Sequence, residues 1–306
     1  MLVFTHPACL GHDPGADHPE SPERLREVIA ALRGEFSDQL QWREAPPAKL
    51  GELARVHCRE LIDDVLQAQT QPLRRLDLDT FTSPGSASAA LHAAGSGVAA
   101  VDAVMLDDGA RRAFCAVRPP GHHATADTAM GFCLFNNVAV AAAYARDKYG
   151  LERIAIVDFD VHHGNGTQAI FETDPQVAYY STHQSGLFPY SGSMRERGVG
   201  NVCNILLPPG SGGFRFRNTW ADDMLPQIEA FQPQLLFISA GFDAHMRDPQ
   251  ADLMVETEDF SWLTAELSAI AHRHGNGRVI SMLEGGYDLQ ALRECSVAHV
   301  QALLDA

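Results

Sequence analysis

Short apolar runs alternate with longer helix-like stretches along most of this chain. The clearest run is Ile154-Ala-Ile-Val157, β-branched and of strand type, expected as a strand over 153–157. Similar runs predict strands at 2–5, 113–117, 177–181, 202–206, 234–238 and 278–283. Helices are expected at 22–32, 50–54, 59–69, 87–106, 136–148, 166–172, 216–231, 258–274 and 289–304. Ser21-Pro22 supplies an N-cap and a first-turn proline for the first of these. Gly150 stops the helix at 136–148, and Pro226 is expected to kink the one at 216–231. A loop is expected from Gln71 to Ser86 and a longer one before Gly200.

Alternating strands and helices imply a mostly parallel sheet covered on both faces, a three-layer α/β/α fold. No repeat, low-complexity tract or linker interrupts the pattern, so residues 1–306 are expected to form one domain.

Four strands end in polar segments: Gly121-His122-His123, Asp158 to His163, Gly241-Phe-Asp243 and Gly285-Gly-Tyr287. In parallel sheets ligands bind beyond the carboxyl ends of the strands, so these distant segments are expected to meet at one edge. Residues i, i+2 and i+4 of an extended chain share a face, which turns Asp158, Asp160 and His162 the same way. An ordinary polar strand end accounts for one such residue. It does not account for Asp158, Asp160, His162 and His163 together behind an apolar strand. Mixed carboxylate and imidazole ligands favour Zn²⁺, and Asp243 is the natural third ligand beside Asp160 and His162. Three protein ligands leave a position open for water and substrate, as a catalytic zinc requires. Two adjacent imidazoles, His122 and His123, are poorly explained as core packing and suit a general base with an electrostatic neighbour. Tyr287 is placed to stabilise an oxyanion, although Gly-Gly-Tyr alone is more often an ordinary turn.

Composition narrows the partners. The chain has 306 residues, 45% hydrophobic and 20% charged, within the range of soluble globular proteins. A net charge of −16 argues against direct nucleic-acid binding and is compatible with a cationic small substrate. The six cysteines form no C-x-x-C pair and several sit in apolar runs, which suggests a reducing compartment. With no signal-peptide pattern and no apolar run of about 18 residues, a cytoplasmic protein without membrane contact is expected.

The motifs together are similar to a known family. His18-Pro-Glu-x-Pro-x-Arg24, Arg118-Pro-Pro-Gly-His-His123, Gly131-Phe-Cys-x-Phe-Asn-Asn137, Asp158-Phe-Asp-Val-His-His-Gly-Asn-Gly166, Ser239-Ala-Gly-Phe-Asp-Ala-His245 and Glu284-Gly-Gly-Tyr287 resemble the zinc-dependent histone deacetylase superfamily. That superfamily includes acetylpolyamine amidohydrolases and acetoin-utilisation proteins, and the match runs in order along nearly the whole chain. Asn165, where class I enzymes typically carry Asp, points to the class II branch. The resemblance implies an arginase/deacetylase-like fold and removal of an acetyl group from an amine such as acetyl-lysine or an acetylated polyamine. It implies that Asp160, His162 and Asp243 hold Zn²⁺. His123 is the implied general base and acid, and His122 its partner, oriented by Asp158. Tyr287 is implied to bond the acetyl oxygen. With Asn165 beside His123, that imidazole is expected to have a lower pKa than in the Asp-bearing branch. Gly131, Phe132, Phe188 and Gly286 are implied to line the substrate tunnel. The resemblance also implies K⁺ beside the catalytic metal, at Asp158, Asp160, His162, Ser181 and Thr182, and a second K⁺ near Phe171, Asp174 and Val177.

Asp79 is a candidate rim residue, and His6, His12, His18 and His245 are read mainly as polar loop groups, with His245 a possible partner of Asp243. Two other readings stand: a binuclear-Mn ureohydrolase, which needs further Asp and His ligands, and a catalytically silent acyl-ligand-binding protein. Oligomeric state is left open, a homo-oligomer included.

Overall fold

A computed structural model describes residues 1–70, 72–106 and 109–306; Gln71, where a loop was expected to begin, lies outside them. In chain order the elements begin with β1 (Leu2–Thr5), α1 (Pro22–Glu35), β2 (Gln41–Glu44), α2 (Leu50–Leu53) and α3 (Arg59–Leu66). There follow β3 (Arg74–Arg75), β4 (Phe81–Thr82), α4 (Ser86–Met105), β5 (Arg112–Cys115), α5 (Asn137–Tyr149), β6 (Ile154–Asp158) and α6 (Asn165–Phe171). The rest comprises β7 (Val177–Gln184), β8 (Val202–Leu207), α7 (Gly213–Asn218), α8 (Leu225–Phe231), β9 (Leu235–Ala240), α9 (Thr257–His274), β10 (Val279–Leu283) and α10 (Leu289–Asp305).

Eight strands form one sheet in the order β2-β1-β5-β10-β9-β6-β7-β8, and every neighbouring pair is parallel. Parallel strands need crossovers, and these are almost always right-handed. The direction of each step along the sheet therefore decides which face its helix covers. Steps one way carry α4, α5 and α6; steps the other way carry α1, α7, α8 and α9, joined by α10. The packing follows that division: α4 touches α5 and α5 touches α6, while α9 touches α10, α7 and α8 and α10 touches α1. The expected three-layer α/β/α architecture is present. Helix α4 is apolar and long enough to cross a membrane by length and composition, but most of it is packed inside the protein.

The direction in which the chain steps along the sheet reverses between β6 and β9. These strands are neighbours, yet β6 leads outward to β7 and β9 leads back to β10. The loops after them splay apart and leave a crevice, the place where open α/β sheets bind ligands.

Several local expectations need correction. Strand β2, Gln-Trp-Arg-Glu, was not expected, because it is a mostly exposed edge strand with no apolar run. The segment expected as one helix over 216–231 is α7, a π-helical turn at Thr219–Met224, then α8. The kink expected at Pro226 is taken up by that turn, and the proline sits in the first turn of α8, where its missing N–H costs little. Strand β7 runs on to Gln184 through polar but buried Thr182, His183 and Gln184, which stay in register with Ile205, Leu206 and Leu207 of β8.

Candidate active site

The crevice is lined from both sides of the reversal. Asp160 and His162 follow β6, Asp243 follows β9, and their ligand atoms all lie within 4.8 Å of one another. Nδ1 of His162 is 3.1 Å from Asp160 Oδ1 and 3.1 Å from Asp243 Oδ2. Backbone amides aim the carboxylates. Gly285 N donates to Asp160 Oδ2 at 2.9 Å, His162 N to Asp160 Oδ1 at 2.9 Å, and Val161 N to Asp243 Oδ1 at 2.9 Å. Burial opposes a charge on His162, yet its bonds to Asp160 and Asp243 push its pKa up to about 10. The two carboxylates demand a positive centre where the imidazole nitrogen meets them.

This donor set fits a zinc ion. It has two oxygens and one nitrogen, no fourth protein ligand among the described residues to close the site, and partial exposure at His162, whose side chain is 11% accessible. Gly285 shapes the site by close approach, since a Cβ there would lie 2.1 Å from Asp243 Oδ2 and 2.6 Å from Asp160 Oδ2. Among the described residues no second group of three such ligands comes together, so the further carboxylates of a binuclear centre are not in place.

His122 and His123 stack beside these ligands, ring centroids 4.0 Å apart, and the His123 ring is 5.8 Å from that of His162. His122 Nδ1 donates to Asp158 Oδ2 at 3.0 Å, and Tyr179 donates to the same oxygen at 3.0 Å. Burial disfavours an imidazolium at His122, but Asp160 and Asp158 override it and raise its pKa well above the usual value. His123 goes the opposite way. Burial and then the neighbouring His122 and His162 lower its pKa well below the usual value. Its Nδ1 meets Asn165 Oδ1 at 2.8 Å, while Asn165 Nδ2 is turned toward Met130 Sδ and the His123 carbonyl. The amide so oriented accepts from Nδ1–H, which leaves Nε2 of His123 with its lone pair free to take a proton. One imidazole held charged beside one held neutral is an acid–base division of labour.

Tyr287 stands at the end of the loop after β10. Its N–H donates to Asp248 Oδ2 at 2.6 Å, as does that of Asp288 at 3.2 Å. The Arg24 guanidinium lies over its ring at 4.8 Å, and the Phe132 ring meets it edge-on at 5.8 Å. Burial raises the Tyr287 phenol well above its ordinary range, so it stays a hydroxyl donor at neutral pH.

Phe132 and Phe188 are partly exposed rather than core residues. Phe188 packs edge-on to His123 at 5.1 Å and lies 6.4 Å from the His162 ring; Phe132 touches Tyr287 and His18. Gly131 separates the two sides. With φ of +56° it adopts a left-handed turn, and a Cβ there would lie 2.4 Å from His123 Cδ2 and 2.9 Å from Phe188 Cε1. The Gly286 carbonyl accepts from Arg24 Nε at 2.6 Å. His18, read from sequence as a loop group, belongs to this wall and donates to the Asp79 carbonyl at 3.1 Å. His245 caps its own turn by accepting from Arg247 N at 3.1 Å.

The two monovalent-cation sets behave differently. Asp158 is in register with Ser181 across β6 and β7, which puts Asp158, Asp160, His162, Ser181 and Thr182 at one strand edge. The carbonyls of Phe171, Asp174 and Val177 also converge, but the group at their focus is the Asn201 side-chain amide. That set does not fit a second K⁺ as the resemblance implies.

Sequence reasoning assigned no role to the charges beneath the site. Glu20 is fully buried between Arg118 and Arg24, taking bonds of 2.7 and 2.6 Å from Arg118 and 2.9 Å from Arg24. Burial opposes ionisation of Glu20, but Arg118 and Arg24 hold its pKa down to about 2. Arg24 also grips the Glu284 and Gly286 carbonyls at 2.6 Å each, and Glu284 Oε2 accepts from Gly121 N at 2.6 Å and His122 N at 3.2 Å. The loops carrying the His pair and Tyr287 are thus tied together by buried charge.

The histone deacetylase domain family matches residues 18–303. A histone deacetylase-like amidohydrolase of Pseudomonas aeruginosa is 38% identical over 302 residues, 97% of this chain and 78% of its own length. A probable deacetylase of Archaeoglobus fulgidus is 37% identical, covering 94% of this chain and 81% of itself. The crystal structure of the HDA15 HD domain superposes with a TM-score of 0.93 at 35% identity, over 99% of this chain and 88% of that one. Identity at this level along the whole length, together with the same fold, is what common descent leaves, and this chain belongs to the histone deacetylase family.

Proposed function

We propose that this protein is a zinc-dependent amidohydrolase that removes an acetyl group from an amine, either a lysine side chain or a polyamine. The observation that carries the reading is the meeting of Asp160, His162 and Asp243 with the stacked His122–His123 pair, whose His123 ring lies 5.8 Å from that of His162. Bound at Asp160, His162 and Asp243, zinc supplies a Lewis acid that polarises the acetyl carbonyl and acidifies water. His123 Nε2 takes the proton of the attacking water and later delivers it to the leaving amine. His122, fixed by Asp158, holds positive charge beside it. Tyr287 donates to the oxygen as it gains negative charge. Phe132 and Phe188 guide an apolar methylene chain past Gly131, and Gly286 shapes the far wall. K⁺ at Asp158, Asp160, His162, Ser181 and Thr182 is the supporting ion. The net charge of −16 favours a cationic substrate, and a cytoplasmic location without nucleic-acid or membrane contact completes the reading.

Acetate release from acetyl-lysine peptides and acetylated polyamines, measured side by side with metal content, tests it. The expected result is one zinc per chain and turnover abolished by chelation and restored by Zn²⁺. Two manganese per chain, or tight hydroxamate binding without any turnover, points instead to the ureohydrolase or the silent binding protein.

A further inference from the structure

Three main-chain carbonyls meet at a single nitrogen just before the start of β8. Asn201 Nδ2 lies 2.8 Å from Phe171 O, 2.9 Å from Asp174 O and 2.7 Å from Val177 O. An amide NH₂ has two hydrogens, so three acceptors exceed its donors. Three carbonyl dipoles pointing at one spot repel one another unless something positive sits there, and rings of carbonyls are how proteins strip and hold potassium. The orientation of the amide is fixed from the other side. Asn201 Oδ1 accepts from Val199 N at 3.1 Å, so the NH₂ end faces the carbonyls. The loop is built round this arrangement: a Cβ at Gly198 would lie 2.5 Å from Asn201 Oδ1. Asn201 is 9% exposed, and its carbonyl accepts from Tyr179 N at 2.8 Å, which anchors its backbone to β7.

We infer that Asn201 is a built-in substitute for a monovalent cation: its side-chain NH₂ occupies the centre of the Phe171–Asp174–Val177 carbonyl ring and ties α6, β7 and the β8 entry together without an ion. The set of main-chain ligands remains, but the chain fills it with its own partial positive charge. This inference concerns the fold beside α6, the helix that Asn165 begins, and does not rest on the proposed reaction. The consequence is specific. Removal of the carboxamide takes away the one group all three carbonyls share, leaving Phe171 O and Asp174 O with only the Asp174 and Val177 amides, which is costly, and re-creates a cradle that K⁺ or Rb⁺ can enter.

The test compares the wild-type chain with Asn201→Ala. Crystals of each are grown in RbCl, and anomalous maps at the rubidium edge are inspected among the three carbonyl oxygens. The expected result is no rubidium there in the wild type and a peak there in the variant. In solution, the melting temperature of Asn201→Ala is expected to rise more than that of the wild type when choline chloride is replaced by KCl at equal ionic strength. A variant that folds only in K⁺ supports the inference. Rubidium among these carbonyls in the wild type overturns it, as does a variant with no peak and no added response to K⁺. If the variant folds in neither salt, the wild-type map decides.

Discussion

Replacing Asn165 with Asp puts a carboxylate where an amide oxygen now lies 2.8 Å from His123 Nδ1. In the native chain burial and the neighbouring His122 and His162 hold His123 neutral, and the uncharged Asn165 offsets this only through its hydrogen bond. An opposite charge this close raises a histidine pKa by about 1–3 units. Each unit corresponds to about 1.4 kcal/mol, so the imidazolium gains roughly 1.4–4 kcal/mol relative to the neutral ring. The sign follows from the role. His123 acts as a base only when neutral, so activity is lost as pH falls through its pKa. Raising that pKa moves the acidic limb upward. The expected result is that the acidic limb of kcat/KM for acetyl-lysine peptide hydrolysis moves up by about 1–3 pH units in Asn165→Asp. Profiles from pH 5 to 9, each with equal bound zinc, provide the measurement. An unmoved limb in a folded, zinc-loaded variant refutes the pairing of Asn165 with the catalytic base.

Asp248→Ala frees the Tyr287 and Asp288 amides. A displaced catalytic group of this kind lowers kcat by up to about 100-fold, with KM expected to change less and Asp248→Asn to recover part of the loss. Gly131→Ala must adopt a φ near +56° and push against His123 and Phe188. It is expected to cost about 1–2 kcal/mol in backbone strain alone, read by denaturant unfolding, and to depress kcat/KM. Glu20→Gln breaks a buried pair with Arg118 and Arg24 and is expected to cost about 3–5 kcal/mol in the same assay. Because the folded pKa of Glu20, about 2, lies below its ordinary 4.5, its stabilising effect is full above pH 4.5 and is lost as pH falls toward 2. The acid-induced fall in melting temperature should therefore be shallower in Glu20→Gln than in the wild type.

The Asp160–His162–Asp243 cluster was legible because parallel topology does the work that sequence distance hides. Strand-end polar segments must share one edge of the sheet, so Asp160, His162 and Asp243 could be joined before any coordinates. His122, His123 and Tyr287 followed by the same rule. What escaped were residues whose meaning lies in a distant partner. Arg24 acts on carbonyls at 284 and 286, and Glu20 on Arg118. No periodicity marks such contacts: Arg24 is one polar residue in the first turn of α1, and Glu20 and Arg118 lie in irregular segments. Asp248 carries no mark in the sequence, because the donors it holds are backbone amides at Tyr287 and Asp288. Asn201 shows the converse: Phe171, Asp174 and Val177 were rightly grouped, but the residue at their centre arrives from the start of another strand. Edge strand β2 was missed for a simpler reason. Only a buried strand needs an apolar run, and Gln41–Glu44 is buried on neither face.

The central claim is that Tyr287 and His123 act on an acetyl group held at the Asp160–His162–Asp243 metal. Its most direct test is single-turnover acetate release by Tyr287→Phe and His123→Ala, each shown to hold one zinc and to unfold like the wild type. Loss of a charge-stabilising donor costs about 100–1,000-fold, and loss of the general base about 100–10,000-fold. The account predicts falls of those sizes in the rate of acetate release. Wild-type rates in both zinc-loaded variants would contradict it.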